Sequence, residues 1–298
     1  MESVKEWDHC KFLSCSVLPV QVACNCRCSF CFSHSSISSL KHQKRLLHKI
    51  DVNEYYAWAV ENGAQRLVIT GGGEPLLDVK EVLRLVGIGS DYFDEITCFT
   101  NGTYLTKEIA SQLYDRGLTY LCYSRHHYDD DMNNTLMGKS APLLHQFMEA
   151  ASLLSVRAVC VMTKNYIDNK EKVEQYIQAL EEYGVSEFTF KHTYVAYEQS
   201  IFSGSSQNNW AQNNQIEFDP FEGQGTIIGE LPWGPKIRKI TNRQVCYYYE
   251  PDPEWEKRNK LCRSSNLLSN GKVYASLENQ QSLLYQLQAS SVPLSQKT

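Results

Sequence analysis

Four cysteines fall within eight positions in the stretch VACNCRCSFCFSH, residues 22–34: Cys24, Cys26, Cys28 and Cys31. Thiols packed this densely serve metal chemistry better than they serve a disulfide framework, which an odd total of eleven cysteines at irregular spacing also disfavours. Structural zinc takes two separated pairs and so clamps two loops, and no distant Cys-x2-Cys pair answers this one. Cys24-x3-Cys28-x2-Cys31 fits a different demand. Three thiolates on one loop reach three corners of a cubic [4Fe–4S] cluster, and the fourth iron stays free for a small molecule. Cys26 is out of phase with that spacing. Phe30 and Phe32 flank the last cysteine and would keep water from the cluster.

Two further stretches carry chemistry. TGGGEPLL, residues 70–77, places three glycines and an acid where an apolar run gives way to a helical pattern. Glycine permits a tight turn and close backbone approach, and the stretch does not fit the dinucleotide pattern GxGxxG. FTNGTYLT and YSRHHYDD each close a β-like run with polar residues.

The elements that must position these residues alternate. Candidate strands cover 16–23, 66–72, 95–102, 118–126, 157–164 and 187–195, each rich in β-branched or aromatic residues. Between them lie helical patterns that end at glycine, such as DVNEYYAWAVENG with Asp51 as N-cap. Six such repeats predict an α/β fold with a parallel sheet and crossover helices. Alternation along the strands predicts that Cys98 and Thr100, and likewise Cys122, Ser124 and His126, face the barrel interior. Residues 196–280, rich in Gly, Pro, Asn and Trp, predict an irregular extension with a few short strands, and 281–298 a flexible tail. Net charge is −5, which argues against nucleic acid as the main partner. With no apolar run of membrane-spanning length and a polar start, the chain reads as cytoplasmic.

On the cysteine loop and the glycine turn together, the sequence resembles the radical S-adenosylmethionine (radical SAM) enzymes. The resemblance covers residues 16–195 and implies a partial (β/α)6 barrel, open on one side, as a core domain of residues 1–195. It implies a [4Fe–4S] cluster on Cys24, Cys28 and Cys31. S-adenosylmethionine (SAM) would lie against Gly72, Gly73, Glu74, Pro75, Thr100, Asn101, Ser124 and Arg125. The chemistry it implies is reductive cleavage of SAM to a 5′-deoxyadenosyl radical that abstracts hydrogen from a substrate, with the electron drawn from a flavodoxin or ferredoxin.

The stretch LCRSSNLLSNGKVYASLE resembles the SPASM-type extension of that superfamily in degenerate form. Cys262 matches its first cysteine, but Ser276 stands where another is expected. The extension is therefore expected to have lost its metal and to cover the barrel opening, with Arg263, Ser265 and Asn266 facing substrate. An auxiliary cluster on Cys10, Cys15, Cys246 and Cys262 is the less favoured alternative. Candidates for the reacting site are Cys98, Cys122, His126, Lys191 and His192, with His127 and the basic run 41–49 as further substrate contacts. The expected substrate is a small molecule: a nucleoside, sugar or amino-acid derivative. The alternatives are a maturase of a peptide or protein and, from another class, a non-catalytic iron–sulfur electron carrier.

Overall fold

The computed structural model describes residues 6–39, 46–138 and 140–290. Six strands and the helices between them open the chain. β1 (Lys11–Leu18) leads through the cysteine loop to α1 (Val52–Glu61). There follow β2 (Arg66–Ile69), α2 (Val79–Gly89), β3 (Glu95–Thr100), α3 (Lys107–Asp115) and β4 (Tyr120–Ser124). α4 (Asp130–Met137) and α5 (Leu144–Ala150) precede β5 (Val156–Met162), α6 (Lys170–Glu181) and β6 (Glu187–His192). The helix starts follow local chemistry. The side chains of Asp51, Thr106 and Asn169 each accept a backbone N–H of the first turn, which satisfies donors the helix itself leaves open.

The strand periodicity holds, but the first strand lies earlier than its predicted span of 16–23. Pro19 lacks an N–H and cannot continue a ladder, so β1 ends at Leu18 and residues 19–23 run as loop. The cysteine loop therefore does not follow the strand directly.

The extension is more regular than its composition suggests. It contains α7 (Ser206–Asn214), β7 (Thr226–Glu230), β8 (Lys236–Ile240), β9 (Arg243–Tyr248), α8 (Pro253–Asn259), β10 (Leu261–Leu268), β11 (Lys272–Tyr274) and β12 (Leu283–Gln286). The expected flexible tail is corrected at its start. Leu283–Gln286 pairs antiparallel with β11, so its backbone groups find partners there; residues 291–298 lie outside the described residues.

One sheet holds all these strands, in the order β12-β11-β10-β1-β2-β3-β4-β5-β6-β9-β8-β7. β10 pairs parallel with β1, and β9 pairs parallel with β6. The extension thus lengthens the parallel run at both ends, and the sheet does not close on itself. This is an α/β partial barrel. The main core lies between the outer faces of the strands and the helices, where Tyr55, Tyr56, Leu67, Ile96, Leu121, Tyr176 and Phe190 are fully buried.

Candidate functional site

A cavity of about 720 Å³ occupies the barrel interior and reaches its mouth at the C-terminal strand ends. Cys24, Cys26, Cys28 and Cys31 line it, together with Gly71, Gly72, Gly73, Glu74 and Pro75. At the opposite, N-terminal end its lining includes Arg66, Glu95, Arg157 and Glu187. These form an ion-pair ladder, with Arg157 2.9 Å from Glu187 and Arg66 3.5 Å from Glu95.

The glycine turn and the cysteine loop are built against each other. A Cβ on Gly72 would stand 1.8 Å from the Gln21 carbonyl oxygen, and one on Gly73 would stand 2.0 Å from that of Ala23. No side chain fits either place. The contact is also hydrogen-bonded: Gly73 N–H donates to Val20 O at 3.0 Å, and Glu74 N–H to Ala23 O at 2.9 Å. The segment that delivers Cys24 is thus set on the turn after β2. Its far side is tied down as well. Asn101 Nδ2 donates to Asn25 Oδ1 at 2.9 Å, and Arg27 N–H to Met137 O at 2.8 Å.

Glu74 is almost wholly buried and satisfied within the protein. Its Oε1 accepts from Thr100 Oγ1 at 2.7 Å and Leu76 N–H at 3.0 Å, and its Oε2 accepts from Asn101 N–H at 2.8 Å. Burial raises its pKa, while these donors pull the other way. Glu74, Thr100 and Asn101 therefore act first as the joint between β2, β3 and the cysteine loop.

The thiols form a string. Cys26 N–H donates to Cys24 Sγ at 3.3 Å, and the Cys26 thiol stands close to those of Cys24 and Cys28. Cys26, out of phase with the ligand spacing, lines the same cavity as the other three. The adjoining Cys26 thiol, then burial, raise the pKa of Cys24; burial raises that of Cys31. Among the described residues no three His, Cys, Asp or Glu side chains gather closely enough for a single ion. Cys24, Cys28 and Cys31 all line the cavity, and bound iron would bring them to the thiolate form. The donor set and the room in front of it fit an iron–sulfur cluster.

Beyond the cysteines, the candidates divide. Ser124 and His126 line the cavity. The His126 ring meets Phe30 of the cysteine loop edge-on at 4.6 Å, and its Nδ1 accepts Val161 N–H at 3.0 Å. Burial, with Arg125 and Lys191 nearby, pulls its pKa down to about 3, so the ring is neutral with its proton on Nε2. Lys191 and His192 also line the cavity, and Lys191 donates to Glu250 Oε1 at 2.9 Å. Cys122 shares the inward phase of Tyr120 and Ser124 but is nearly fully buried beneath the surface, and its pKa is pushed up to about 12 by burial.

Three expectations are corrected. Cys98 lies in the helix-facing core, because Glu95, Thr97 and Phe99 hold the inward phase of β3. Thr100 reaches the cavity only where the strand ends. Arg125 turns away between Ser124 and His126 and is fully buried, donating to Asp130 Oδ1 at 2.7 Å and Tyr128 O at 2.9 Å; it is a structural cation. Ser265 packs outward under the Tyr55 hydroxyl at 2.9 Å.

His127 does not line the cavity; its Nδ1 accepts Asp129 N–H at 3.0 Å. Of the basic run 41–49, residues 41–45 lie outside the described residues. The four cysteines considered for an auxiliary cluster do not meet. Cys10 and Cys262 share an apolar cluster with Trp7 and Phe12, Cys15 packs in the main core, and Cys246 lines the cavity.

The extension supplies residues that the sequence did not single out: Trp233, Tyr248 and Glu250 line the same cavity as Arg263, Ser264 and Asn266. The only sequence signal for Tyr248 and Glu250 is the run YYYE, three aromatics closed by an acid. A second hollow of about 610 Å³ lies at the N-terminal strand ends by His145 and Glu149 and holds none of the cysteines.

Comparison with known proteins agrees with this geometry. The family described as the radical SAM superfamily matches residues 18–196. The chain is 37% identical over 98 residues to GTP 3′,8-cyclase of Listeria monocytogenes, covering 32% of this chain and 28% of that protein. It is 28% identical over 267 residues to GTP 3′,8-cyclase of Aquifex aeolicus, covering 85% and 78%. Among solved structures, Streptococcus suis SuiB bound to precursor peptide SuiA superposes with a TM-score of 0.59 at 14% identity, over 95% of this chain and 64% of SuiB. The SAM-bound form of SuiB gives the same TM-score at 15% identity, over 92% and 63%. The chain thus spans little more than a quarter of the Listeria enzyme in its match and just under two thirds of SuiB.

Proposed function

The chain belongs to the radical SAM superfamily, and from that premise we propose that it acts on a small molecule held in the barrel cavity between the cysteine loop and the extension. It is an enzyme of a superfamily that uses a [4Fe–4S] cluster and SAM. A cluster and SAM held here would supply radical chemistry for hydrogen abstraction; the protein's part is to hold, orient and exclude water.

In this reading Cys24, Cys28 and Cys31 hold the cluster. The carbonyls of Gly71–Gly73 and the Ser124 hydroxyl face SAM, and Glu74, Thr100 and Asn101 fix the turn that presents those carbonyls. His126 stays neutral, presses on Phe30 and fixes the last turn of the loop. The reductant is a flavodoxin or ferredoxin, and the setting is the cytoplasm.

One observation carries the proposal: the cysteine loop, the glycine turn and the extension's Trp233, Tyr248 and Glu250 line a single cavity. Sites for drug-sized ligands run to ~300–1,000 Å³. A space of about 720 Å³ shared with SAM therefore favours a small substrate over a folded peptide. The GTP 3′,8-cyclase relatives, named for a nucleotide, support the same class. The test is anaerobic reconstitution, reduction, addition of SAM and mass spectrometry for 5′-deoxyadenosine. The wild type should form it and Cys28→Ala should not. A reducible cluster whose EPR signal is unmoved by SAM would overturn the reading in favour of electron transfer.

A further inference from the structure

The parallel run ends at β10 on one side and β9 on the other, and among the described residues no strand pairing joins those two ends. Side chains cross the gap instead. Glu250, just after β9, accepts Lys191 of β6 on Oε1 at 2.9 Å. Its Oε2 accepts the Tyr248 hydroxyl at 2.7 Å and also pairs with Arg263 of β10. The carboxylate is therefore saturated and nearly buried, with 10% of its side chain exposed.

Its two cations are not saturated. Lys191 has three N–H donors and makes one hydrogen bond among the described residues; its ammonium also lies 4.7 Å from the centre of the Tyr248 ring. Arg263 has a looser second partner, Glu278, at 3.8 Å. Both cations keep part of their surface toward the cavity, 28% for Lys191 and 21% for Arg263. A latch made only for stability would gain nothing from donors aimed at open space, since buried ion pairs are often no better than apolar packing. Aromatic rings stand beside the pair. Phe32 lies 5.9 Å from the Arg263 guanidinium and meets Tyr194 edge-on at 4.8 Å.

We propose that Lys191 and Arg263, held apart and aimed by Glu250, form an oxyanion clamp for a substrate that carries a carboxylate or phosphate on a planar ring. This rests on the functional reading above and narrows it. Arg263 offers a planar fork and Lys191 a point charge, a combination suited to either anion. The neighbouring rings take the planar part.

The test is calorimetric titration of the anaerobically reconstituted full chain, with saturating SAM, using benzoate, phenyl phosphate and the uncharged benzamide. At least one anion should bind tenfold or more tighter than benzamide, and whichever binds better identifies carboxylate or phosphate as the natural group. Lys191→Met and Arg263→Gln should each weaken that anion at least tenfold and leave benzamide unchanged. Arg263→Lys, which keeps the charge, should lose less.

Equal binding of anions and benzamide overturns the clamp. So does anion binding untouched by the variants, or binding seen only without SAM, which would assign the cations to the cofactor's own carboxylate. Should a variant fail to fold, the wild-type comparison of anion with benzamide still decides. The parallel assay for 5′-deoxyadenosine keeps the two readings apart. Anion discrimination with an EPR signal unmoved by SAM sinks the SAM-cleavage reading and keeps the clamp, and cleavage without discrimination sinks the clamp.

Discussion

Thr100 Oγ1 donates to Glu74 Oε1 across 2.7 Å, joining the end of β3 to the turn after β2 beneath the cysteine loop. Hydrogen bonds to buried carboxylates are worth ~1.5–3 kcal/mol. Thr100→Val, which keeps the shape and loses the hydroxyl, should lower unfolding free energy by roughly that much in urea titration. If Glu74 is a joint first, the loss of SAM affinity should follow the loss of stability. Weakened SAM binding with stability unchanged would reverse that order.

Gly73→Ala should impair iron loading. The added methyl would meet the Ala23 carbonyl at 2.0 Å and push away the segment leading into Cys24. Iron per chain after reconstitution should fall well below that of the wild type. Full loading would show that the loop adapts.

The four thiols of the loop can be told apart by iron analysis. Cys28→Ala should lose the cluster, and Cys26→Ala should retain it even though Cys26 lies in the same thiol string. Iron retained by Cys28→Ala would break the ligand assignment, and iron lost from Cys26→Ala would bring the fourth thiol into it.

Arg125→Ala should cost stability rather than cofactor binding. The guanidinium is fully buried, and its removal takes a charged donor from Asp130, which keeps only Leu144 N–H on Oδ1, and from the Tyr128 carbonyl. Breaking such a pair costs ~3–5 kcal/mol, readable as a lower denaturant midpoint. A variant of normal stability but weak SAM binding would return Arg125 to the site.

His126 gives a pH signature. Burial lowers its folded-state pKa to about 3 from 6.5. Between those values the unfolded chain takes a proton that the folded chain refuses. Its contribution is complete above 6.5 and is lost as pH falls through that window. The slope approaches ~1.4 kcal/mol per pH unit from this one group. His126→Gln should flatten that part of the stability–pH curve, and an unchanged curve would place the acid sensitivity elsewhere.

The parts of the fold that rest on local chemistry were legible in the sequence. The Asp51 cap, the helical patterns that close at glycine and the six apolar runs located the repeating units. The spacing of the cysteines and the glycine turn located the mouth of the cavity. Strand phase was harder. Period-two alternation cannot say which face is inward when both faces are buried, so Cys98 was placed inside although Thr97 and Phe99 hold that side. The extension was least legible. β9 and β10 pair with strands distant in sequence, and nothing near Glu250 announces that Lys191 and Arg263 will meet there. A proline explains the shift of β1, a signal present in the chain but outweighed by the apolar residues after it.

The parallel pairing of β9 with β6 and of β10 with β1 makes the extension a pair of gateposts more than a roof. A chain cut at residue 195 would bare two ladders of backbone N–H and C=O groups at once, which invite pairing with other chains. The outer borders of the whole sheet are instead the short strands β12 and β7. Barrel and extension share one sheet, and they should unfold in a single transition. A truncated core should precipitate, not survive as a smaller enzyme with a wider door.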